Sequence, residues 1–130
     1  HVLDFKTGAA PSAKMVNTGF SPQLTLTGAI LASGGFAEVG KRAPGDLIYL
    51  RVTGRELAGE TITRAAAGTE SEQMCQAALA GLMSLIARFD DVRRPYLSRT
   101  APQFVRGHPS DYDHLARVQE WSSGDEEGAE

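Results

Sequence analysis

The chain has 130 residues, 42% of them apolar, and carries 16 acidic against 13 basic side chains for a net charge of −3. That length and apolar content suffice for one domain core or part of one, and the acidic balance excludes a protein that holds nucleic acid by overall positive charge. Any DNA contact therefore has to be local, and the notable basic concentration is Arg93-Arg94, Arg99 and Arg106. Cys75 is the single cysteine, so an internal disulfide is excluded, and so is a multi-cysteine cluster held by this chain alone.

Residues 2 to 6, Val2-Leu3-Asp4-Phe5-Lys6, read as a short apolar strand. Successive strand side chains alternate faces, so Asp4 and Lys6 share one face, and Leu3 and Phe5 are expected to point into a core. Thr7-Gly8 forms a turn, followed by a loop containing Pro11 and Gly19. Ser21 as N-cap, Pro22 at the first helical position and a stop at Gly34-Gly35 predict a helix from about Pro22 to Ser33. On it Gln23 and Thr27 are four apart on one face, while Leu24, Gly28 and Leu31 lie on another, where glycine permits close packing.

After a linker around Lys41 to Gly45, the nearly continuous apolar run within Asp46 to Val52 reads as a central strand, and Thr61-Ile62-Thr63 as a short edge strand. Thr69 followed by Glu72 resembles a capping box opening an amphipathic helix from about Glu70 to Phe89. Its stripe of Cys75, Leu79, Leu82, Ile86 and Phe89, spaced by four and three, is expected to be core rather than a cofactor surface. Cys75 itself reads as a small apolar helix residue. Asp111 to Trp121 predicts a short terminal helix, and residues 122–130 an acidic, disordered tail. There is no internal repeat, no apolar run of membrane length and no signal-peptide pattern, so a soluble cytoplasmic protein is expected.

The triplet Asp4-x-Lys6 is short, and chance supplies on the order of 0.4 acid-x-Lys triplets in a chain of this composition. Its context is more specific: an apolar strand, Asp4-Phe5-Lys6-Thr7-Gly8, a loop, and then a helix opening on Gln23-Leu24-Thr25-Leu26-Thr27. This arrangement resembles the PD-(D/E)XK nucleases of the RecB family, whose core reads strand-D-x-K-T-G and then a helix bearing Gln-Leu-x-x-Tyr. Thr27 departs from the family's tyrosine. With Arg94-Pro95-Tyr96-Leu97-Ser98-Arg99 and Asp111-Tyr112-Asp113-His114-Leu115-Ala116-Arg117 downstream, the chain is similar up to about Trp121 to the C-terminal end of the AddB family. AddB proteins are the nuclease-bearing partners of AddA in bacterial AddAB helicase-nucleases.

The resemblance implies an α/β fold: part of a restriction-endonuclease-like core, with a central mixed sheet flanked by helices. Residues 1–121 would form the C-terminal portion of that nuclease domain. The family's first helix and a hairpin strand carrying another metal-binding aspartate would precede Asp4, so the chain reads as a fragment, inactive alone. His1 lies in the wrong element to stand for the upstream histidine of such sites.

The implied activity is metal-dependent phosphodiester hydrolysis in DNA double-strand break processing for recombinational repair. The alternative is an inactive nuclease-derived scaffold or DNA-channel wall beside AddA. By resemblance, Asp4 and the backbone carbonyl of Phe5 would hold Mg2+ or Mn2+. Lys6 would orient water or stabilise phosphorane charge, and Gln23 would position Lys6 or a phosphate. Some AddB relatives carry a four-cysteine iron-sulfur site, which this chain cannot hold.

Arg93, Arg94 and Arg99 are candidates for DNA phosphate contacts, with a solvated or salt-bridged face as the alternative. His108 and His114 are surface or packing groups on this reading, since no metal pattern links them. Tyr112 and Trp121 could stack on bases, although packing of a terminal helix explains them equally. Without a hairpin partner the Asp4 strand would present an open edge, so self-association of the fragment or a disordered first strand is expected, together with weak Mg2+ binding.

Overall fold

The computed structural model describes residues 1–54, 59–96 and 115. Its elements in chain order are β1 (Val2–Lys6), α1 (Ala13–Asn17), α2 (Gln23–Ser33), β2 (Leu47–Val52), β3 (Gly59–Ala65) and α3 (Thr69–Phe89). All of them lie in a first unit, His1–Val92, of the two into which the chain divides. Of the second unit, residues 93–96 and 115 are described, so the helix expected over 111–121 and the tail 122–130 lie outside the described residues.

The described residues form a small α/β fold, a three-stranded mixed sheet with three helices. The sheet order is β1-β2-β3, with β2 parallel to β1 and antiparallel to β3. β2 is thus the central strand and β3 an edge, as its apolar run and the Thr61–Thr63 pattern predict. Parallel neighbours cannot be joined by a tight hairpin, and the long connection between β1 and β2 carries α1 and α2. Within the register Asp4 stands opposite Tyr49 and Lys6 opposite Arg51, while Tyr49 faces Ile62 and Arg51 faces Glu60 on the other side.

One face of the sheet forms the core. Val2, Leu47 and Tyr49 close against Val16 of α1, Leu24 and Ala29 of α2 and Cys75 of α3. α2 approaches α3 closely at Gly28, where a Cβ would run into Cys75 Sγ. The close packing expected of this glycine is therefore a helix–helix contact. Gly34, in the left-handed region at φ 83°, ends α2 as predicted. Across the linker, Asp46 Oδ1 accepts the Ala67 N–H at 2.6 Å and the buried Ser71 hydroxyl reaches the Pro44 carbonyl at 3.1 Å, which ties the start of α3 to the start of β2.

Several expectations are corrected. Leu3 and Phe5 do not enter a core: they are 50% and 67% exposed, and the packed face is the one carrying Val2, Asp4 and Lys6. Alternation fixes which residues share a face, whereas Val2, 5% exposed beneath the helices, shows which face is covered. The apolar stripe of α3 likewise enters the core only at Cys75; Leu79, Leu82, Ile86 and Phe89 are 36–49% exposed. α3 packs chiefly on α2, and its 21 residues, about 30 Å, outrun the roughly 16 Å of the 11-residue α2.

Helix starts differ as well. α2 begins at Gln23 with Pro22, not Ser21, at the cap, and the Ser21 N–H is used by the Met15 carbonyl at 3.0 Å. α3 starts at Thr69 with Gly68 as its cap, so no Thr69–Glu72 box forms; instead Glu70 Oε2 reaches back to the Ala66 N–H at 3.0 Å. The stretch read as a loop between Pro11 and Gly19 contains α1, whose N-cap Ser12 accepts the Met15 N–H at 3.2 Å. Among the described residues no helix is long and apolar enough to cross a membrane.

Candidate active site

β1 presents Asp4 and Lys6 to the edge of the packed face, and α2 opens directly opposite them, which brings Gln23 into the same cluster. Lys6 Nζ lies 2.7 Å from Asp4 Oδ2 and donates to Gln23 Oε1 at 3.0 Å. Gln23 Nε2 in turn donates to Asp4 Oδ1 at 3.3 Å. The glutamine amide has one orientation that satisfies both neighbours, its oxygen toward the cation and its nitrogen toward the carboxylate. The three side chains thus close a ring of contacts although Gln23 is 17 residues from Lys6 and 19 from Asp4 in sequence.

The pair is partly sheltered, with side-chain exposures of 28% for Lys6 and 14% for Asp4. Asp4 Oδ2 is closed off from solvent and faces the Lys6 ammonium as an ion pair rather than as a hydrogen-bond acceptor. Behind it Tyr49 is fully buried, its ring centroid 5.6 Å from Lys6 Nζ and 6.0 Å from the Arg64 guanidinium carbon. The negative face of the ring supports both cations. Arg64 also donates twice to the Pro11 carbonyl, at 2.7 and 3.0 Å, which fastens the loop between β1 and α1 to β3.

Comparison of the chain with protein families, curated proteins and solved structures finds no match. The site's chemistry is therefore read from its residues.

The structure brings together three of the expected residues, Asp4, Lys6 and Gln23. The Phe5 side chain turns to the opposite, open face, so only its backbone could serve the cluster. Thr27 spends its hydroxyl on the Gln23 carbonyl at 2.7 Å, a bond within α2. His1 pairs with Asp46, Nδ1 to Oδ2 at 3.1 Å, just before β1 begins and away from the strand end that holds Lys6. Arg93 and Arg94 are exposed and belong to the second unit, and Arg99, His108 and His114 lie outside the described residues.

Two grooves, of about 370 and 470 Å³, run along α3, and neither is lined by Asp4, Lys6 or Gln23. Sequence reasoning missed Tyr49, Arg51 and Arg64. The first two lie within the run read as an apolar strand, and their signal is parity: with β2 parallel and in register, every second residue shares the face of Asp4 and Lys6.

Among the described residues no three or more His, Cys, Asp or Glu side chains gather into a metal-binding group. The Asp4 carboxylate has the chemistry of one hard-cation ligand in a larger set. Mg2+ takes six oxygens and commonly keeps several waters, so one carboxylate and one carbonyl make a weak site.

Proposed function

We propose that this chain is part of a metal-dependent DNA nuclease domain of the PD-(D/E)XK type, in a helicase-nuclease that processes double-strand breaks. The observation that carries the reading is the closed contact ring of Asp4, Lys6 and Gln23 at the end of β1. It combines a sheltered carboxylate with an ammonium whose direction is fixed by two partners. By resemblance to the AddB family the partner is an AddA subunit and the substrate is DNA.

Phosphodiester hydrolysis adds water to phosphorus and breaks one P–O bond, with negative charge rising on the phosphoryl oxygens. Lys6 can place its positive charge against those oxygens, and Gln23 holds Nζ where that charge develops, so little reorganisation is required. Asp4 would hold a divalent cation, Mg2+ or Mn2+, through its carboxylate, and the cation would supply charge neutralisation and acidify water. Phe5 would add its backbone carbonyl. Tyr49 shields the pair from one side and raises the worth of each electrostatic contact.

The test is Mg2+-dependent cleavage of labelled single-stranded and duplex DNA by the full-length protein that carries this sequence. Lys6→Ala is expected to lower the rate about 10²–10³-fold, as loss of one preorganised charge-stabilising group does. Gln23→Ala should lower it less, since Lys6 stays paired with Asp4. Cleavage that survives Lys6→Ala unchanged would remove the proposal. The second reading is a non-catalytic, nuclease-derived wall beside AddA. Wild-type protein that is folded, binds DNA and never cleaves it would select that reading.

A further inference from the structure

The row of side chains that holds Asp4 and Lys6 continues onto β2. Lys6 is the last residue of β1, and its register neighbour on the parallel strand is Arg51. Parallel neighbours in register point to the same face and stand about 4.8 Å apart. Two cations therefore leave the sheet side by side at the carboxyl ends of two parallel strands, the end at which open α/β sheets bind their ligands.

Arg51 differs from Lys6 in how it is held. Lys6 is fixed by Asp4 and Gln23, whereas the Arg51 Nη1 lies 3.5 Å from Glu60 Oε2, with the two side chains 40% and 57% exposed. A pair so long and so open is weak and easily exchanged. Arg51 Nε is closed from solvent and has no hydrogen-bond partner, so among the described residues the guanidinium is held by nothing but this pair and is free to re-aim. The exposed end of the guanidinium, its terminal nitrogen only loosely engaged by Glu60, offers the planar pair of N–H donors that matches two oxygens of one phosphate.

We infer that Arg51 is a phosphate anchor: it grips a backbone phosphate beside the one facing Lys6, and Glu60 is the carboxylate that this phosphate displaces. The inference rests on the nuclease reading for its substrate class, a DNA strand, but not for any step of cleavage. It locates the local basic contact in the first unit, on the sheet, separately from Arg93, Arg94 and Arg99. Arg51 acts in binding and makes no contact with the reacting bond.

The experiment measures binding of a fluorescein-labelled oligothymidylate by anisotropy across a salt series, with chelator present so that no cleavage occurs. The proteins compared are the full-length wild type, Arg51→Gln, Arg51→Lys, Glu60→Gln and the double variant. Loss of one phosphate contact should weaken binding several-fold at low salt and lower the slope of log K against log salt by about 0.7. Arg51→Lys should keep the slope and lose part of the affinity, because the charge stays while the fork is gone. Glu60→Gln should tighten binding, and that gain should vanish in the Arg51→Gln background.

A slope unchanged by Arg51→Gln, or a wild type that does not bind the oligonucleotide, would overturn the assignment. So would a Glu60→Gln gain that persists without Arg51. Arg51-dependent binding without Mg2+-dependent cleavage would sustain the anchor and remove the nuclease. Lys6-dependent cleavage with a slope indifferent to Arg51 would do the reverse.

Discussion

The two faces of the sheet are built from the same strands and have opposite fates. On the helix-covered face, Val2, Leu47 and Tyr49 are buried and the polar pair Asp4–Lys6 is sheltered at the strand end. On the other, Leu3, Phe5 and Val52 stand 48–67% exposed despite being apolar. Polarity therefore does not decide burial here; the layer laid across the strand does. Because the chemistry-bearing residues occupy the packed face, their directions are fixed by neighbours, and that fixity makes the cluster a candidate site.

The sharpest break of this comparison is Leu47→Ala. Leu47, the first residue of the central strand β2, is 0% exposed on the covered face, so its truncation should destabilise the protein by about 2–5 kcal/mol, read by chemical denaturation. A loss below about 1 kcal/mol, within the range of surface changes or little beyond it, would mean that the covered face is not a packed core.

Next in size is Gly28→Ala, which probes the helix layer itself. The added methyl meets Cys75 Sγ across the α2–α3 contact, and overpacking of this kind costs about 1–3 kcal/mol. Cys75→Ala in the same protein should recover much of that loss by opening room for the methyl. Failure of the second substitution to rescue the first would place the conflict elsewhere.

The same contact gives the covered face a dependence on alkaline pH. Burial pushes the Cys75 thiol above its ordinary value. The folded protein then keeps the thiol proton at a pH where the unfolded chain has lost it. Stability from this group is complete below the ordinary thiol range and falls as pH rises through it toward the raised folded value. Denaturation midpoints measured across that range should decline, and Cys75→Ala should flatten the part of the decline that is due to the thiol. Equal slopes in the two proteins would show that α2 does not seal Cys75.

How far the sequence was legible follows the same division. Element types could be read because they depend on local period and punctuation: the Asp4 strand, the helix ended by Gly34, the central strand at Leu47 and the long helix to Phe89 all have such signals. The union of Asp4, Lys6 and Gln23 was legible from a motif. The side to which β1 faces was not, since a strand of alternating types fits either orientation until its neighbours are placed. Nor was the exposure of Leu79 to Phe89, because periodicity marks a stripe without saying how far the layer beneath it extends. Arg51 and Arg64 needed the strand register, a long-range property absent from any local window. The start of α1 at Ser12 was within reach as a cap signal, but five helical residues are too few to show a period.

The smallest expected effect tests the open face. Phe5 is 67% exposed, so Phe5→Ser removes little buried surface and leaves the backbone of β1 paired with β2 as before. Its unfolding free energy should stay within about 0.5 kcal/mol of wild type, the usual range for surface changes. The matching substitution on the covered face, Val2→Ser, exchanges a side chain 5% exposed for a hydroxyl that must then find a partner in the core. If Phe5→Ser proved as harmful as Val2→Ser, the open face would be covered in solution and the two faces would be equivalent layers. The burial of Asp4 and Lys6 would then be an ordinary property of a two-sided sheet rather than a distinction of the side that carries the site.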